Sequence, residues 1–382
     1  MHWLRRLRRY LPSGAQTLSP ETTWPAAEQA AVLRDLQGSP SWCVDRFQLT
    51  DEELRIGGWA LPLAGGGPTT ITLNGIAMET VSWGTPRSDL ERLCWHWPGS
   101  GKSGFEMGVA VDQRTLFANG RLELAYAHAD SLLPVDKRHL VYFPSADQSH
   151  AVLPDYARQV RVQGTGNDAI FILEGFSAFE KMLSTLERHS GRSRRQMGSL
   201  LDWGCGCGRV SRYFEGFETS VTGIDIDADN AAWCASHLPF GRFLAVPLRP
   251  PCPSLETRSF DAVVGMSVMT HLTEVDQHRW LAELHRITRP GALLGLTTHG
   301  GPAIARAGLP ANLLRRWLDT GFLDAGMNPD LAISIEEPSF YRNSFHSADY
   351  IRFNWTRWFD VAEHIQGFVG NHHDLVVLRR RE

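Results

Sequence analysis

The stretch that decides the fold is Leu200-Leu201-Asp202-Trp203-Gly204-Cys205-Gly206-Cys207-Gly208-Arg209. It begins as a short apolar run, typical of a buried strand, and continues with glycine at every second position. Glycine has no Cβ, so such a turn lets the backbone approach a ligand closely. We expect residues 209–214 to begin a helix, whose free N–H groups and positive dipole end would face the same place. The pattern predicts a ligand site at the carboxyl end of the strand.

The spacing of the glycines argues against two common ligand classes. A dinucleotide fingerprint needs G-x-G-x-x-G, but Arg209 occupies the position of the third glycine. The Gly-Lys-Ser/Thr of a Walker A loop is absent as well. Asp225 ends the next predicted strand, 21 residues after Gly204. A carboxylate there can accept hydrogen bonds from both hydroxyls of a ribose, so an adenosine-containing ligand is predicted.

From about residue 147 onward, short apolar runs alternate with helical patterns. Apolar residues recur at helical spacing over Phe171 to His189 and again over Gln277 to Ile287. The predicted strands are Ser199–Asp202, Val221–Asp225, Phe260–Gly265 and Ala292–Thr297. Strands that alternate with helices predict a doubly wound, mostly parallel α/β sheet.

Residues 39–146 follow a different pattern, in which short runs alternate between apolar and polar positions. Asn74-Gly75 and Asn119-Gly120 stand at strand ends, where a positive φ favours hairpin turns. Several short strands at this spacing predict a small all-β, Ig-like sandwich. The sequence therefore predicts an N-terminal arm (1–38), this β-sandwich (39–146) and the α/β domain (147–382).

Four segments, in order along the chain, resemble motifs of the class I S-adenosylmethionine (SAM)-dependent methyltransferases. They are Leu200–Arg209 for the first motif, Gly223–Asp227 for the second, Ser259–Val268 for the fourth strand and Arg286–Gly291 for the turn before the fifth. The resemblance implies a seven-stranded, Rossmann-like sheet with SAM as the cofactor. Its antiparallel last two strands would be Trp358–Val361 and Asp374–Leu378. Residues 39–146 resemble the β-sandwich modules found beside bacterial glycosyltransferase and methyltransferase domains.

The resemblance implies a cofactor site made of Asp202, Gly204, Cys205, Gly206, Gly208, Asp225, Ile226 and Met266. Asp202 would orient the loop and, with the backbone of the glycines, hold the methionine part of SAM. Asp225 would hold the ribose, Ile226 would pack on the adenine, and Met266 would lie by the methionyl amino group. Residues 243–251 lack the acid that many members carry for the adenine amine, so we expect backbone groups in its place.

Two histidines are candidate general bases. The sulfonium of SAM already makes its methyl group electrophilic, so proximity and alignment matter most, and a hydroxyl acceptor also benefits from a base. His271 follows the predicted strand at 260–265, and His299 ends the one at 292–297. Both belong at the edge that holds the cofactor, and histidine titrates near neutrality. The alternative for each is a structural histidine that caps a helix or bonds the backbone.

An insert at about residues 300–358 would cover the active site and select the acceptor, as the resemblance implies. Aromatic faces and mixed hydrogen-bond donors in this insert suit a sugar. The residues predicted to contact the substrate are Tyr341, Arg342 and His346. Trp355 and Trp358 fit either such a contact or the core packing of a lid helix.

The sequence predicts no metal site. The six cysteines lack paired metal-ligand spacing, and Cys205-Gly206-Cys207 lies within the glycine loop, where small thiols pack near a turn. His372-His373-Asp374 starts the last predicted strand. Neighbouring side chains of a strand point to opposite faces, so we expect no shared metal there.

Composition and net charge restrict the cellular location and the classes of partner that we expect. The net charge of −4, from 38 Lys and Arg against 42 Asp and Glu, offers no basic field for nucleic acid. No apolar stretch is long enough to span a bilayer, and the first ten residues lack a secretion signal, so a cytoplasmic location is predicted. Those ten residues, four of which are Arg, would form either an amphipathic helix on an anionic membrane or, as we favour, a solvated terminus. A short helix is predicted at 26–36, and nothing indicates the oligomeric state.

These features predict a SAM-dependent O-methyltransferase that acts on a sugar hydroxyl in a glycan or a glycosylated metabolite. The β-sandwich and the aromatic insert are the basis for the sugar. One alternative is a small-molecule N-, C- or O-methyltransferase whose β-sandwich serves for dimerisation or docking. Another is a non-catalytic glycan-binding protein with a vestigial SAM site, against which the complete first motif and Asp225 argue. Methylation of a flipped nucleobase is disfavoured by the charge and by the absence of an Asn-Pro-Pro-Tyr motif.

Overall fold

The computed structural model describes residues 24–62, 69–112, 116–117, 120–128, 140–145, 152–329 and 334–381. The amphipathic helix considered for the first ten residues and the turn expected at Asn119 lie outside these ranges. The first described element is helix α1 (Ala26–Gln37), which confirms the helix predicted at 26–36. It begins after Pro25 and ends at Gly38, whose φ of 75° suits glycine.

Two four-stranded sheets follow α1. Their elements are β1 (Trp42–Leu49), β2 (Glu53–Ala60), β3 (Thr69–Leu73), β4 (Ile76–Ala77), β5 (Glu79–Thr85), helix α2 (Ser88–Leu93), β6 (Gly104–Ala110), β7 (Arg121–His128) and β8 (Leu140–Pro144). One sheet has the order β1-β2-β6-β5 and the other β4-β3-β7-β8, and all paired strands are antiparallel. The predicted hairpin turn at Asn74-Gly75 joins β3 to β4 with φ values of 50° and 84°, as a type I′ turn requires.

The two sheets bury their apolar faces against each other. Val44, Ile56 and Phe105 of the first sheet share one hydrophobic core with Ile71 and Leu124 of the second. This packing matches the layered arrangement expected of a β-sandwich. That these sheets form a separate domain, bounded at 39 and 146, stays a prediction.

A nine-stranded sheet dominates the rest of the described chain. Its strands are β9 (Ser199–Trp203), β10 (Ser220–Asp225), β11 (Arg242–Ala245), β12 (Phe260–Gly265), β13 (Thr288–His299), β14 (Phe322–Met327), β15 (Arg342–His346), β16 (Phe359–Val369) and β17 (His373–Arg380). The helices in this part are α3 (Tyr156–Gln163), α4 (Asp168–Ser190), α5 (Ala228–His237), α6 (Glu274–Ile287), α7 (Gly301–Arg306), α8 (Ala311–Thr320) and α9 (Ala348–Asn354). Within the described ranges, no helix has the length and apolar character needed to cross a membrane.

The central part of this sheet has the strand order β11-β10-β9-β12-β13-β17-β16. The first five strands run parallel, and β17 is antiparallel to both of its neighbours. These observations confirm the predicted doubly wound, mostly parallel α/β sheet. The predicted count of seven strands is too low, because β13 runs on to His299, whose pairing with Phe345 adds β15, and β14 pairs with β15 in turn.

The helix expected after the glycine loop is a single 3₁₀ turn, Ser211–Phe214. All four of its residues are buried, and Glu215 leaves the turn in an extended conformation with ψ of 138°. A turn of this length carries only a small aligned dipole. The prediction that a helix dipole faces the ligand is therefore wrong.

Alternate residues of the central strands enter two different apolar cores. Leu201 and Val263 belong to one core, and Leu200 and Val264 belong to the other. This alternation is typical of a sheet that is covered on both faces. Trp355 is fully buried in the first core, and Trp358 packs against the same core, so core packing accounts for both tryptophans.

Candidate active site

A cavity of about 510 Å³ lies at the carboxyl ends of β9, β10, β12 and β13. The residues singled out in the sequence that line it are Asp202, Gly204, Cys205, Gly206, Asp225, Ile226, Met266, His271, His299 and Tyr341. Gly208, Arg342 and His346 do not line it. This edge is the usual place for a ligand in an open α/β sheet, and the volume suits a small molecule.

The glycine loop forms one end of the cavity with backbone atoms. Gly204 and Gly206 have φ values of 74° and 53°, which side chains rarely adopt. A Cβ on Gly204 would lie 2.3 Å from Val268 Cγ2. Gly208 supports the loop from outside the cavity, since a Cβ there would lie 2.6 Å from Leu238 Cδ1. The close packing thus requires glycine at these positions and leaves bare backbone facing the cavity.

Asp225 connects the end of β10 to this loop. Its Oδ2 accepts a hydrogen bond from the Gly206 N–H at 2.7 Å, and its Oδ1 accepts one from the Asp227 N–H at 2.8 Å. A carboxylate oxygen has two lone pairs, so each oxygen retains capacity to accept a bond from a ligand hydroxyl. Burial raises the pKa of Asp225 to about 6.

Asp202 lies beneath the loop, where its Oδ2 accepts a hydrogen bond of 2.5 Å from the Ser211 hydroxyl. This bond ties the end of β9 to the 3₁₀ turn. Burial raises the pKa of Asp202 to about 7, and the nearby charge of Asp225 shifts it in the same direction. A cationic ligand would favour the ionised form of both carboxylates, so this end of the cavity suits a positive charge.

A backbone contact determines which ring nitrogen of His271 carries the proton. Its Nδ1 lies 2.8 Å from the carbonyl oxygen of Arg342, which can only accept, so Nδ1 carries the proton of the neutral ring. Nε2 then presents a lone pair and lies 3.3 Å from the Ser267 hydroxyl. The ring stacks on Tyr341 with 4.0 Å between centroids. The imidazole is therefore held in one orientation, with a proton acceptor at Nε2, as a general base requires.

Ser267 takes an uncommon backbone conformation beside this histidine. Its φ is 61°, and its N–H donates to the Thr297 hydroxyl at 2.7 Å. Its own hydroxyl lies 3.3 Å from Nε2 of His271 and 3.3 Å from Nε2 of His373. Left-handed conformations of residues other than glycine concentrate at functional sites, and here the strain sets a hydroxyl between two imidazoles.

His299, His372 and His373 meet in the cavity wall, with one nitrogen of each ring within 4.8 Å of the others. The prediction that His372 and His373 point to opposite faces is wrong, because His372 belongs to the turn before β17. Asn371 in that turn has a φ of 50°, so the alternation of a strand does not apply. Burial lowers the pKa of His299 and of His372 well below the usual value, and that of His373 to about 3. The three rings are therefore neutral at pH 7.

Arg342 and His346 are held away from the cavity by other partners. Arg342 pairs with Asp324 at 3.0 Å, and it contributes only its carbonyl group to the site. His346 is fully buried, with its Nε2 at 3.0 Å from Gln277 Oε1, and it packs against Tyr350. Of the three predicted substrate contacts, Tyr341 alone stands in the cavity wall.

Known proteins match the part of the chain that forms this site. Residues 201–296 match the family model of a methyltransferase domain. A malonyl-[acyl-carrier protein] O-methyltransferase of Pectobacterium atrosepticum is 30% identical over 124 residues, which cover 31% of this chain and 43% of that protein. The protein of the same name from Salmonella typhimurium is 27% identical over 137 residues, which cover 32% and 52%. The chain thus spans about half the length of these relatives.

Residues 201–296 thus belong to a SAM-dependent methyltransferase domain. Among solved structures, the chain is similar to a Burkholderia thailandensis 1,6-didemethyltoxoflavin-N1-methyltransferase with S-adenosylhomocysteine bound. The identity is 16% and the TM-score 0.37, and the match covers 67% of this chain and 99% of that one.

SAM, the cofactor of this methyltransferase domain, fits the glycine-loop end of the cavity. Gly204 lines the cavity, and the place that its Cβ would take is filled by Val268, so this position offers only main-chain atoms to a ligand. Asp225 keeps lone pairs for a diol. A cationic cofactor would stabilise the ionised forms of Asp202 and Asp225 and so lower their raised pKa values. The backbone of the loop and the two carboxylates therefore fit SAM in hydrogen bonding and in charge.

The cavity is also lined by residues that were not predicted from the sequence. Trp42 of β1 and Val141 of β8 reach it from the two β-sheets that precede the α/β sheet. Glu174 and Arg209 line it as a pair 3.4 Å apart. Ser267 could have been predicted, because it is a polar residue two positions after the apolar strand β12. Trp42 and Val141 could not have been predicted in this way, because their sequence context is that of ordinary strand positions.

Proposed function

We propose that the protein is a SAM-dependent O-methyltransferase that acts on a hydroxyl group of a sugar or of a sugar-bearing metabolite. The observation that carries this proposal is the orientation of His271, whose Nδ1–H is bonded to the Arg342 carbonyl at 2.8 Å. The ring lines the same cavity as Asp225. A fixed proton acceptor beside the cofactor is useful for an acceptor that loses a proton as it is methylated.

Asp225 and the glycine loop would hold SAM, whose sulfonium makes the methyl group electrophilic. Asp225 would accept hydrogen bonds from both ribose hydroxyls through its remaining lone pairs. The backbone at Gly204 and Gly206 would lie against the methionine part, with Met266 beside it and Ile226 against the adenine. The contribution of these residues is to fix the methyl group in place, which supplies proximity and alignment.

His271 would take the proton of the acceptor. SAM would supply the methyl group and leave as S-adenosylhomocysteine, and the hydroxyl proton of the acceptor would pass to Nε2 as its oxygen is methylated. The resulting imidazolium is stabilised by its charge-assisted Nδ1–H bond to the Arg342 carbonyl. The Ser267 hydroxyl lies 3.3 Å from Nε2, so this nitrogen is positioned to accept a hydrogen bond from a hydroxyl group.

The surroundings of His271 support a hydroxyl-rich acceptor. Asn328 donates from Nδ2 to Asn343 Oδ1 at 3.1 Å, and both amides line the cavity. The amide nitrogen of Asn343 has two N–H donors, and Tyr341 adds an aromatic face and a hydroxyl. Polar groups that both donate and accept, beside an aromatic ring, are what a sugar needs for recognition.

Transfer of a deuterated methyl group tests the proposal. The full chain is incubated with trideuteromethyl-SAM and a pool of sugar nucleotides and glycosylated metabolites, and mass spectrometry finds the species in which one CD₃ replaces one hydrogen. At a SAM concentration near the Kd of the natural chain, we expect a labelled sugar with the natural chain, strongly reduced labelling with Asp225→Ala, and slow labelling with His271→Gln. Labelling of sugars at an undiminished rate by His271→Gln would contradict the role of this histidine.

A carboxylate is the second candidate acceptor, because both matched relatives are named malonyl-[acyl-carrier protein] O-methyltransferases. A carboxylate is already ionised at pH 7 and needs no base. The product distinguishes the two candidates, since a methyl ester is hydrolysed by mild alkali and a methyl ether survives. Release of CD₃OH on alkaline treatment, with an undiminished rate for His271→Gln, identifies carboxylate transfer.

We also propose that the two N-terminal sheets belong to the acceptor site. Trp42 and Val141 line the cavity, and Leu173 of α4 shares the core of the sheets. This contact supports a role in acceptor binding over that of a remote docking module or of a glycan-binding domain beside a vestigial site. Calorimetry with SAM tests the last alternative, since a vestigial site would show no micromolar binding.

A further inference from the structure

Arg306 places a positive charge behind the cavity wall that methyl transfer does not require. Its Nη2 donates to the carbonyl of Asn371 at 2.7 Å and to Nδ1 of His372 at 2.9 Å, and its Nε donates to the carbonyl of Pro302 at 3.3 Å. Among the described residues, no carboxylate pairs with this guanidinium, and burial lowers its pKa. A poorly solvated charge without a counter-ion is costly unless a ligand compensates it.

The contact with Arg306 assigns the tautomer of His372. A guanidinium nitrogen only donates hydrogen bonds, so Nδ1 of His372 must accept, and the neutral ring carries its proton on Nε2. His372 lines the cavity. It therefore brings an N–H donor to the cavity wall, and the positive charge bonded to the other side of the ring strengthens that donor.

A second guanidinium acts on the same cluster. Arg209 lines the cavity, and the charges of Arg209 and Arg306 both help to lower the pKa of His373, after the larger effect of burial. His299 adds a buried Nδ1 with no hydrogen-bond partner among the described residues. Glu174, 3.4 Å from Arg209, offsets part of that charge, so Arg306 is the main source of positive charge at this cluster, and His299 offers a ring nitrogen without a partner among the described residues.

Three histidines in contact also suggest a metal ion, since imidazole is a common zinc ligand. Two features of this cluster oppose a cation. His372 has no lone pair to give, because its Nδ1 accepts from Arg306 and its Nε2 carries the proton. Arg306 and Arg209 would in addition repel a divalent ion. The same two features favour a ligand of negative charge.

We propose that His372, with Arg306 behind it and Arg209 in the same wall, binds an oxyanion of the acceptor, a carboxylate or a phosphate. The anion would accept the Nε2–H of His372 and compensate the charge of Arg306 through the ring. The enzyme would thereby select acidic acceptors, such as a sugar that carries a phosphate or a carboxylate. This inference rests on the proposed function only in taking the cavity as the acceptor site.

Calorimetric titration of the full chain, saturated with S-adenosylhomocysteine, tests the site with inorganic phosphate and with malonate as probes. We expect binding of at least one anion, and about tenfold weaker binding or more in Arg306→Gln and His372→Leu. His372→Gln should retain most of the affinity, because its amide can accept from Arg306 and donate to the anion. The anion that binds more tightly identifies the acidic group.

Arg352→Gln is the matched control, since this arginine lies on the exposed side of α9 with Asp349 as its partner. Binding of S-adenosylhomocysteine shows that each variant is folded. Equal anion binding by the natural chain and Arg306→Gln overturns the proposal. So does binding of Co²⁺, seen in its absorption bands and abolished by His299→Ala, since that result makes the cluster a metal site.

The titration requires no methyl transfer. If the chain binds anions but methylates no hydroxyl, the oxyanion site stands and the proposed reaction fails. If a neutral sugar is methylated and no anion binds, the proposed reaction stands and the oxyanion site fails.

Discussion

The 2.8 Å contact between Nδ1 of His271 and the carbonyl oxygen of Arg342 decides which nitrogen of the ring can act on a substrate. Arg342 was expected to meet the acceptor with its guanidinium, yet that group pairs with Asp324. Its backbone instead orients the histidine. A contact of this kind depends on the turn after β12, which contains His271, lying beside the first residue of β15, so it affects the chemistry without leaving a local sequence motif.

His271→Gln should lower kcat for a hydroxyl acceptor by roughly 10²- to 10⁴-fold, because the proton of the acceptor then has no acceptor group in place. The Kd for SAM should not change. The rates are measured with saturating SAM, and His237→Gln, an exposed histidine at the end of α5, is the control. A similar fall in both variants would show that the effect is not specific to the cavity.

Asp225→Ala should weaken SAM binding by roughly 10²-fold, since two charge-assisted hydrogen bonds to the ribose are lost. The substitution also removes the acceptor for the Gly206 N–H, so part of the loss comes from the loop. Calorimetry with Asp225→Asn separates the two, because asparagine keeps one acceptor oxygen for the loop. If Asp225→Ala bound SAM as tightly as the natural chain does, the ribose would have to bind at another position.

SAM binding should weaken as the pH falls below about 6. Burial raises the pKa of Asp225 to about 6 in the free protein, and only the ionised carboxylate can accept from both hydroxyls. Protonation of Asp225 therefore competes with binding, so the contribution of this carboxylate is full above its pKa and falls about tenfold per pH unit below it. Calorimetry between pH 5 and pH 8 measures this slope. Asp225→Asn should show a flatter profile, although the raised pKa of Asp202 leaves a second transition near pH 7.

Gly204→Ala should destabilise the fold by about 2–5 kcal/mol, through both its φ and the collision of the new methyl group with Val268. Gly216→Ala is a closely matched control, because Gly216 has the same φ of 74° and no atom within 4 Å of the added Cβ. The control should lose only about 1–2 kcal/mol. Urea unfolding gives both free energies. Equal losses would mean that the loop can shift away from Val268.

Cys43→Phe should impair methyl transfer while leaving SAM binding intact, because Cys43 lines the cavity from β1 and a larger ring would occupy acceptor space. Val81→Phe is the control, since Val81 is exposed on β5 of the same sheet. The measurements are the KM for the acceptor and the Kd for SAM. An unchanged KM in Cys43→Phe would separate the β-sheets from the acceptor site.

The cofactor end could be predicted from the sequence, because its determinants are local. Gly204 and Gly206 follow a short apolar strand directly, and Asp225 ends the next strand, so parallel pairing of β9 and β10 is enough to bring them together. Spacing along the chain and the geometry of a parallel sheet therefore encode the loop and its carboxylate.

Only the tertiary structure decided the acceptor end. His271, His299 and His373 come from three distant segments, and strand alternation misplaced His372 because it lies in a turn. The tautomer of His271 depends on the Arg342 carbonyl, and that of His372 depends on Arg306. Contacts between segments far apart in the chain carry no local periodicity, so the protonation pattern and charge of this wall become visible only when the strands are packed.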